Sequence, residues 1–290
     1  MTDYCILTDS TSDLTPELVE QLGIDVLPMD FIIDENTYHH YPDSHELNEK
    51  DFYKSLRTGK TSKTVQINIG TFIECFEKYL NNKKDILYIS FSSALSGTYS
   101  SACSAAKELE KLYKDNKIIV VDSKCASMGL GLLVYNAVQK KNEGLTIDEL
   151  EKFVIDARDH LCHWFTVDDL FHLKRGGRVS QAAAVFGTML NIKPVLHVDS
   201  EGRLIPFEKV RGRRQALDSL VNHMEKSVLN AEDQVIFISH GDCIEDAEYV
   251  KDQIEKKFAP KKIYMNYIGP IVGSHSGPGT VALFFIGSEK

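Results

Sequence analysis

Residues 92–104 read SSALSGTYSSACS and gather six serines, a threonine and a tyrosine around a single glycine, Gly97. Hydroxyls at that density can attack as nucleophiles, cradle an anion or cap a helix. The nucleophile-elbow pattern G-x-S-x-G fails, because Ala94 and Thr98 stand two residues either side of Ser96. The phosphate-loop pattern G-x-x-x-x-G-K-[ST] occurs nowhere, and no lysine follows Gly97. Hydroxyls without an activating base suit hydrogen bonding better than attack. Two readings stay open: an anion held by Ser96 and free backbone N–H groups where a strand ends and a helix begins, or a plain helix cap with Ala102, Cys103, Ala105 and Ala106 as a small packing face.

Four other polar bends carry similar chemistry. TGKTSKTVQINIG (58–70) offers Thr58, Thr61, Ser62 and Thr64 with Gln66 and Asn68, either as a solvated loop or as ligand donors. KRGGRVS (174–180) sets Arg175 and Arg178 either side of two glycines, and arginine matches carboxylate or phosphate. GPIVGSHSGPGTVALFFIG (269–287) surrounds His275 with five glycines and two prolines, which predicts an irregular backbone around an imidazole that can donate to an anion or move a proton. DSTSDL (9–14) is a turn after the first strand, read as a cap through Ser12 or Asp13 or as part of the same ligand edge. Metal binding is disfavoured: His39, His40 and His45 lie in an acidic loop, and His160 with His163 lack a third ligand at telling spacing.

These bends need a scaffold, and hydrophobic periodicity supplies one. DYCILTDS, IDVLPMDFII, DILYISF and KIIVVDS read as strands, alternating with helices at TPELVEQLG, NEKDFYKSLRTG, GTFIECFEKYL and GTYSSACSAAKELEKLY. That alternation predicts a parallel, Rossmann-like sheet covered on both faces. SMGLGLLVYNAVQKKNEG and TIDELEKFVIDARDHL read as further helices, the second opening with a Thr146–Glu149 capping box. From about residue 160 six strand-like runs follow, with DSEG as a hairpin turn and helices at 213–229 and 244–258. The expected architecture is an α/β domain over 1–160 and an α+β domain with a mixed or antiparallel sheet over 161–290.

The chain has 290 residues, 43% of them hydrophobic and 26% charged, enough to bury a sizeable core. Its net charge of −9 argues against nucleic acid or an anionic membrane surface as a partner. No run approaches the roughly 18 apolar residues of a spanning helix, and MTDYCILTDS lacks a basic-then-apolar leader. A cytoplasmic protein is expected, its six cysteines (5, 75, 103, 125, 162 and 243) scattered and reduced rather than paired.

Taken in order, TDSTSDL, LSGTYSSA, LKRGGRVS, NIKPVLHVDSEGRLIPFEKVRGRRQAL and GPIVGSHSGPGTVALFF make the chain resemble the DegV family of bacterial fatty-acid-binding proteins nearly end to end. The resemblance implies a two-domain protein enclosing one long-chain fatty acid, with its carboxylate where the domains meet. It implies Thr64, Ser96 and Gly97 as carboxylate contacts, and Arg178 and His275 facing the head group and an incoming phosphoryl. By the same resemblance the chain is a non-catalytic carrier, without cofactor or metal and as a monomer, that presents the carboxyl to a separate ATP-dependent fatty acid kinase subunit. The family's T-S-Q-P-S-P-G bend here reads Thr64, Val65, Gln66, Ile67, Asn68, Ile69, Gly70, which predicts a less rigid loop and a reshaped pocket. The expected tail-lining runs are AAAVFGTMLNIKPVL and VALFFIG. The competing expectation is a subunit like the substrate-binding part of dihydroxyacetone kinases, holding a small hydroxyketone through His275 or His240.

Overall fold

The computed structural model describes residues 3–168, 170–179, 191–288 and 290. The first half builds a four-stranded parallel sheet in the order β2 (Asp25–Leu27), β1 (Tyr4–Asp9), β6 (Asp85–Ser90), β7 (Ile118–Asp122). Every residue of β6 is buried, as a central strand covered on both faces requires. The helices that cover it are locally encoded. In α1 (Pro16–Leu22), Thr15 accepts from the Leu18 N–H, Pro16 takes the first turn and Gly23 ends the helix at φ +60°. In α6 (Ile147–Asp159) the Thr146–Glu149 capping box forms with both hydrogen bonds.

The run expected as one second strand is two. Pro28 supplies no N–H to a ladder, and the chain leaves β2 to enter β3 (Met29–Ile33), the centre of a separate antiparallel sheet with β4 (Asn36–His40) and β5 (Ser62–Val65). The bend at 58–70 is therefore not all loop: Thr64 is on β5, paired with Phe31. α2 (Glu49–Arg57) precedes that strand and α3 (Ile69–Leu80) follows it. Asn68 caps α3 by accepting from the Thr71 N–H, and Ile67 is buried among Phe72, Phe76 and Leu27. Those two residues tie the loop to α3 and to the core.

The second half forms a six-stranded mixed sheet in the order β10 (Leu204–Arg211), β9 (Ile192–Val198), β8 (Leu161–Thr166), β13 (Val281–Ile286), β11 (Val235–His240), β12 (Lys262–Tyr267). All its neighbours are antiparallel except β11 and β12. α8 (Arg213–Ser227) and α9 (Ile244–Phe258) cover one face through Leu217, Leu220, Met224 and Ile254. α5 (Met128–Asn142) packs against strands of both large sheets, so Leu87 and Ile89 of β6 share one core with Phe237 and Phe284. The irregular backbone expected around His275 is instead a short helix, α10 (Pro270–Ser276). Pro270 at its first turn and Gly277 just beyond its end give it the usual start and stop. Tyr53 Oη donates to Ile268 O and Ser274 Oγ to Ser62 Oγ, binding α10 and its approach to the first half.

Candidate functional site

A cavity of about 340 Å³ lies between the two halves. One part of its wall is polar and comes from four separate elements. Thr64 arrives at the end of β5, Ser96 and Gly97 immediately before α4 (Thr98–Leu109), Arg178 after α7 (Phe171–Arg175), and His275 from α10. All five expected site residues therefore line one cavity. Apolar side chains make up most of the rest, among them Phe91, Phe165, Leu173, Val198, Leu204 and Phe284.

The polar groups are tied to one another. Thr64 Oγ1 and His275 Nε2 are 2.9 Å apart and hydrogen-bonded. Ser96 Oγ accepts from the Thr98 N–H at 3.3 Å and lies 3.0 Å from Thr98 Oγ1. Gly97, not Ser96, is the cap position of α4 and has no side chain to offer, so Ser96 satisfies the first helical N–H from one residue further out. Arg178 donates through Nε and Nη2 to Leu95 O and through Nη1 to Gly176 O, clamping its turn to the residue before Ser96. Among the described residues these three bonds use three of the five guanidinium N–H donors.

Close packing fixes the ring and the turn. A Cβ on Gly97 would lie 2.9 Å from Gln66 Cδ, and one on Gly176 would lie 3.1 Å from His275 Cε1. Burial, then the charges of Arg178 and Arg175, holds His275 down to about 4, so its imidazole is neutral near neutral pH. The site is thus cationic through Arg178 and offers hydroxyl and imidazole hydrogen bonds. That combination suits a carboxylate at the end of an apolar body.

Other expectations fall elsewhere. In the 9–14 turn, Asp9 accepts from Tyr88 Oη and the Phe91 N–H, while Asp13 accepts from Ser127 Oγ; both are buried and outside the cavity wall. Burial first of all raises both carboxyls, Asp13 well above its usual range. The turn is an anchor between layers, and its ligand-edge reading is corrected. His240 is buried against Tyr267 and does not line the cavity. Of the substituted bend residues, Val65 reaches the cavity wall whereas Ile67 and Ile69 do not. Of the expected tail runs, Ala282 and Phe284 line the cavity and their strand neighbours Val281, Leu283 and Phe285 face the other core. Residues 180–190, including most of AAAVFGTMLNIKPVL, lie outside the described residues. Gln66, offered among the possible donors of the 58–70 bend, also lines the wall, and Leu95, His163 and Ser276 are wall residues that sequence reasoning did not single out as site members.

Comparison with known proteins decides the family. The model described as "Uncharacterised protein, DegV family" matches residues 4–288. The chain belongs to the DegV family. A DegV domain-containing protein of Clostridium perfringens is 46% identical over 290 residues, covering 100% of this chain and 99% of its own. One from Lactococcus lactis is 37% identical over 287 residues, covering 99% of each. Bacillus subtilis DegV, described as a fatty acid binding protein, superposes with a TM-score of 0.85 at 28% identity, over 98% of this chain and 99% of its own. A Thermotoga maritima DegV lipid binding protein gives a TM-score of 0.87 at 28% identity, over 100% of each. Among the described residues no helix is long and apolar enough to cross a membrane, and no three His, Cys, Asp or Glu side chains are grouped as a metal site.

Proposed function

We propose that this DegV protein binds one long-chain fatty acid, holds its carboxylate among Thr64, Ser96, Gly97, Arg178 and His275, and buries the acyl tail in the rest of the cavity. The observation that carries the reading is one cavity between the two halves, polar at one part of its wall and apolar over most of the remainder. Relatives with the same fold, one described as fatty acid binding and one as lipid binding, support it. Burial gives about 0.8 kcal/mol per methylene, so a tail of some fifteen methylenes gives roughly 12 kcal/mol gross before association costs are subtracted. The tail supplies affinity. A carboxylate loses hydration on entering such a site, and charge-assisted hydrogen bonds offset that loss, so the polar end supplies orientation.

The role is that of a non-catalytic carrier with domains over 1–160 and 161–290. Among the described residues Ser96 Oγ hydrogen-bonds only Thr98 and is bonded by no basic side chain. The carboxyl is presented to a separate kinase subunit that forms an acyl phosphate, with Arg178 and His275 at the face the phosphoryl group approaches. A calorimetric titration of lipid-free protein with palmitate and with dihydroxyacetone tests the reading. One palmitate bound per chain, with no response to the ketone, is expected; a histidine mass adduct with the ketone and no palmitate uptake would sink it.

The imidazole adds a pH signature. A carboxylate bound beside His275 raises the imidazole above its unliganded value of about 4, so binding takes up a proton. Affinity therefore gains, relative to His275→Gln, as pH falls from neutral towards about 4, and the two profiles run parallel where the imidazole is neutral in both states. The same titration repeated across pH checks it, the acid's own ionisation being common to both proteins. Parallel profiles throughout would place the carboxylate away from His275.

A further inference from the structure

Strand register orders the cavity from one end to the other. Thr280, Ala282 and Phe284 line it at alternate positions leading away from α10, a span of about 14 Å at roughly 3.4 Å per residue. Ala282 pairs with Phe165 of β8 and Phe284 with His163. Phe165 pairs with Leu196 of β9, so the same register carried two residues on sets His163 opposite Val198. Val198 pairs in turn with Leu204 across the β9–β10 hairpin, and both line the cavity. His163 presents no unmet polar group there, because Nε2 accepts from the Ala126 N–H at 3.4 Å and Nδ1 bonds Leu161 O at 3.1 Å. The end far from Thr64 and His275 is therefore an apolar row that finishes on a hairpin.

The hairpin tip is stiff and docked. Asp199 accepts from the N–H groups of Glu201 and Arg203 and from Arg203 Nε, all within 3.0 Å. Buried Ser92 Oγ donates to Gly202 O at 2.9 Å, reaching from the loop after β6. Gly202 is at φ +79°, and a Cβ there would lie 3.0 Å from Lys124 Cα, so the tip rests directly on backbone of the other half. We infer that this hairpin sets the upper length of the acyl chain the protein accepts: Leu204 and Val198 form the stop, and the Ser92–Gly202 hydrogen bond holds the stop in place. The inference rests on the acyl-binding reading and adds which residues measure the chain.

Wild-type protein and single variants are equilibrated with an equimolar mixture of even-numbered saturated fatty acids from dodecanoic to eicosanoic. Washed protein is then extracted and the acids quantified by mass spectrometry, with thermal melts confirming folding. Leu204→Ala is expected to move the preferred acid at least one two-carbon step longer, enriching the longer acid about tenfold, the value of two buried methylenes. Leu204→Phe moves it a step shorter, Val198→Ala repeats the lengthening from the other strand, and Ser92→Ala broadens the distribution towards longer acids. Ser96→Ala lowers total uptake with the distribution unmoved. Wild-type distributions in the folded Leu204 and Val198 variants, at unchanged total uptake, overturn the hairpin stop alone. Absence of any acid in wild-type protein removes the acyl-binding reading and the stop with it.

Discussion

Replacing Thr64 with valine and Ser96 with alanine together is expected to weaken binding of a long-chain fatty acid about 100-fold while leaving the fold intact. A hydrogen bond to a charged group contributes about 1.5–3 kcal/mol, and losing two amounts to roughly 3 kcal/mol or more, a factor of about 100 in affinity. Thr64→Val preserves the branched shape on β5 and its pairing with Phe31. Ser96→Ala removes the acceptor of the Thr98 N–H at the half-buried start of α4, a loss of about 1 kcal/mol in stability. Competition binding with a fluorescent fatty acid, alongside urea unfolding, separates the two effects. Unchanged affinity in the folded double variant would remove both hydroxyls from the site.

The second large effect is on stability. Gly129→Ala is expected to destabilise the protein by about 4 kcal/mol. A Cβ at Gly129 would stand 2.6 Å from His163 Cδ2 and 2.8 Å from Phe284 Cδ1, in the core where α5 meets β8 and β13. Overpacking of that kind costs about 1–3 kcal/mol, and pushing His163 aside strands the buried Ala126 N–H for about 1–3 kcal/mol more. Gly70→Ala is the control: it sits on the exposed first turn of α3 with only Asn68 Oδ1 near, at 3.2 Å. It should change stability by no more than about 0.5 kcal/mol or raise it, since alanine is the better helix former. Chemical denaturation of both variants measures the difference, and equal stabilities would mean that α5 does not need its close approach.

The alternation of strands and helices is legible because a short continuous apolar run such as ILYI in DILYIS, bounded by polar residues, differs in length and pattern from the longer 3.6-residue repeat of TYSSACSAAKEL. β5 is not legible: SKTV is four residues long with only one apolar side chain, and pairing with β3 makes it a strand. α10 hid behind its glycines, although Pro270 at its start and Gly277 past its end carry the helix signal. The site residues are legible through the family resemblance of their motifs, and Ser96, Gly97, Thr64, Arg178 and His275 do line one cavity, although only Ser96 and Gly97 lie in a turn that directly follows a strand. Their mutual bonds were not, since Thr64 and His275 are separated by 211 positions and nothing local links them. The tail wall was least legible. Ala282 and Phe284 face the cavity and Leu283 and Phe285 the core, yet all four are equally apolar.

The central claim is that this DegV protein carries a long-chain fatty acid, and the most direct measurement is mass spectrometry of lipid extracted from gently purified protein. A fatty acid present at close to one per chain, and regained when delipidated protein is offered fatty acid, is the predicted result. Protein that contains no acyl chain as isolated and takes none up would contradict it.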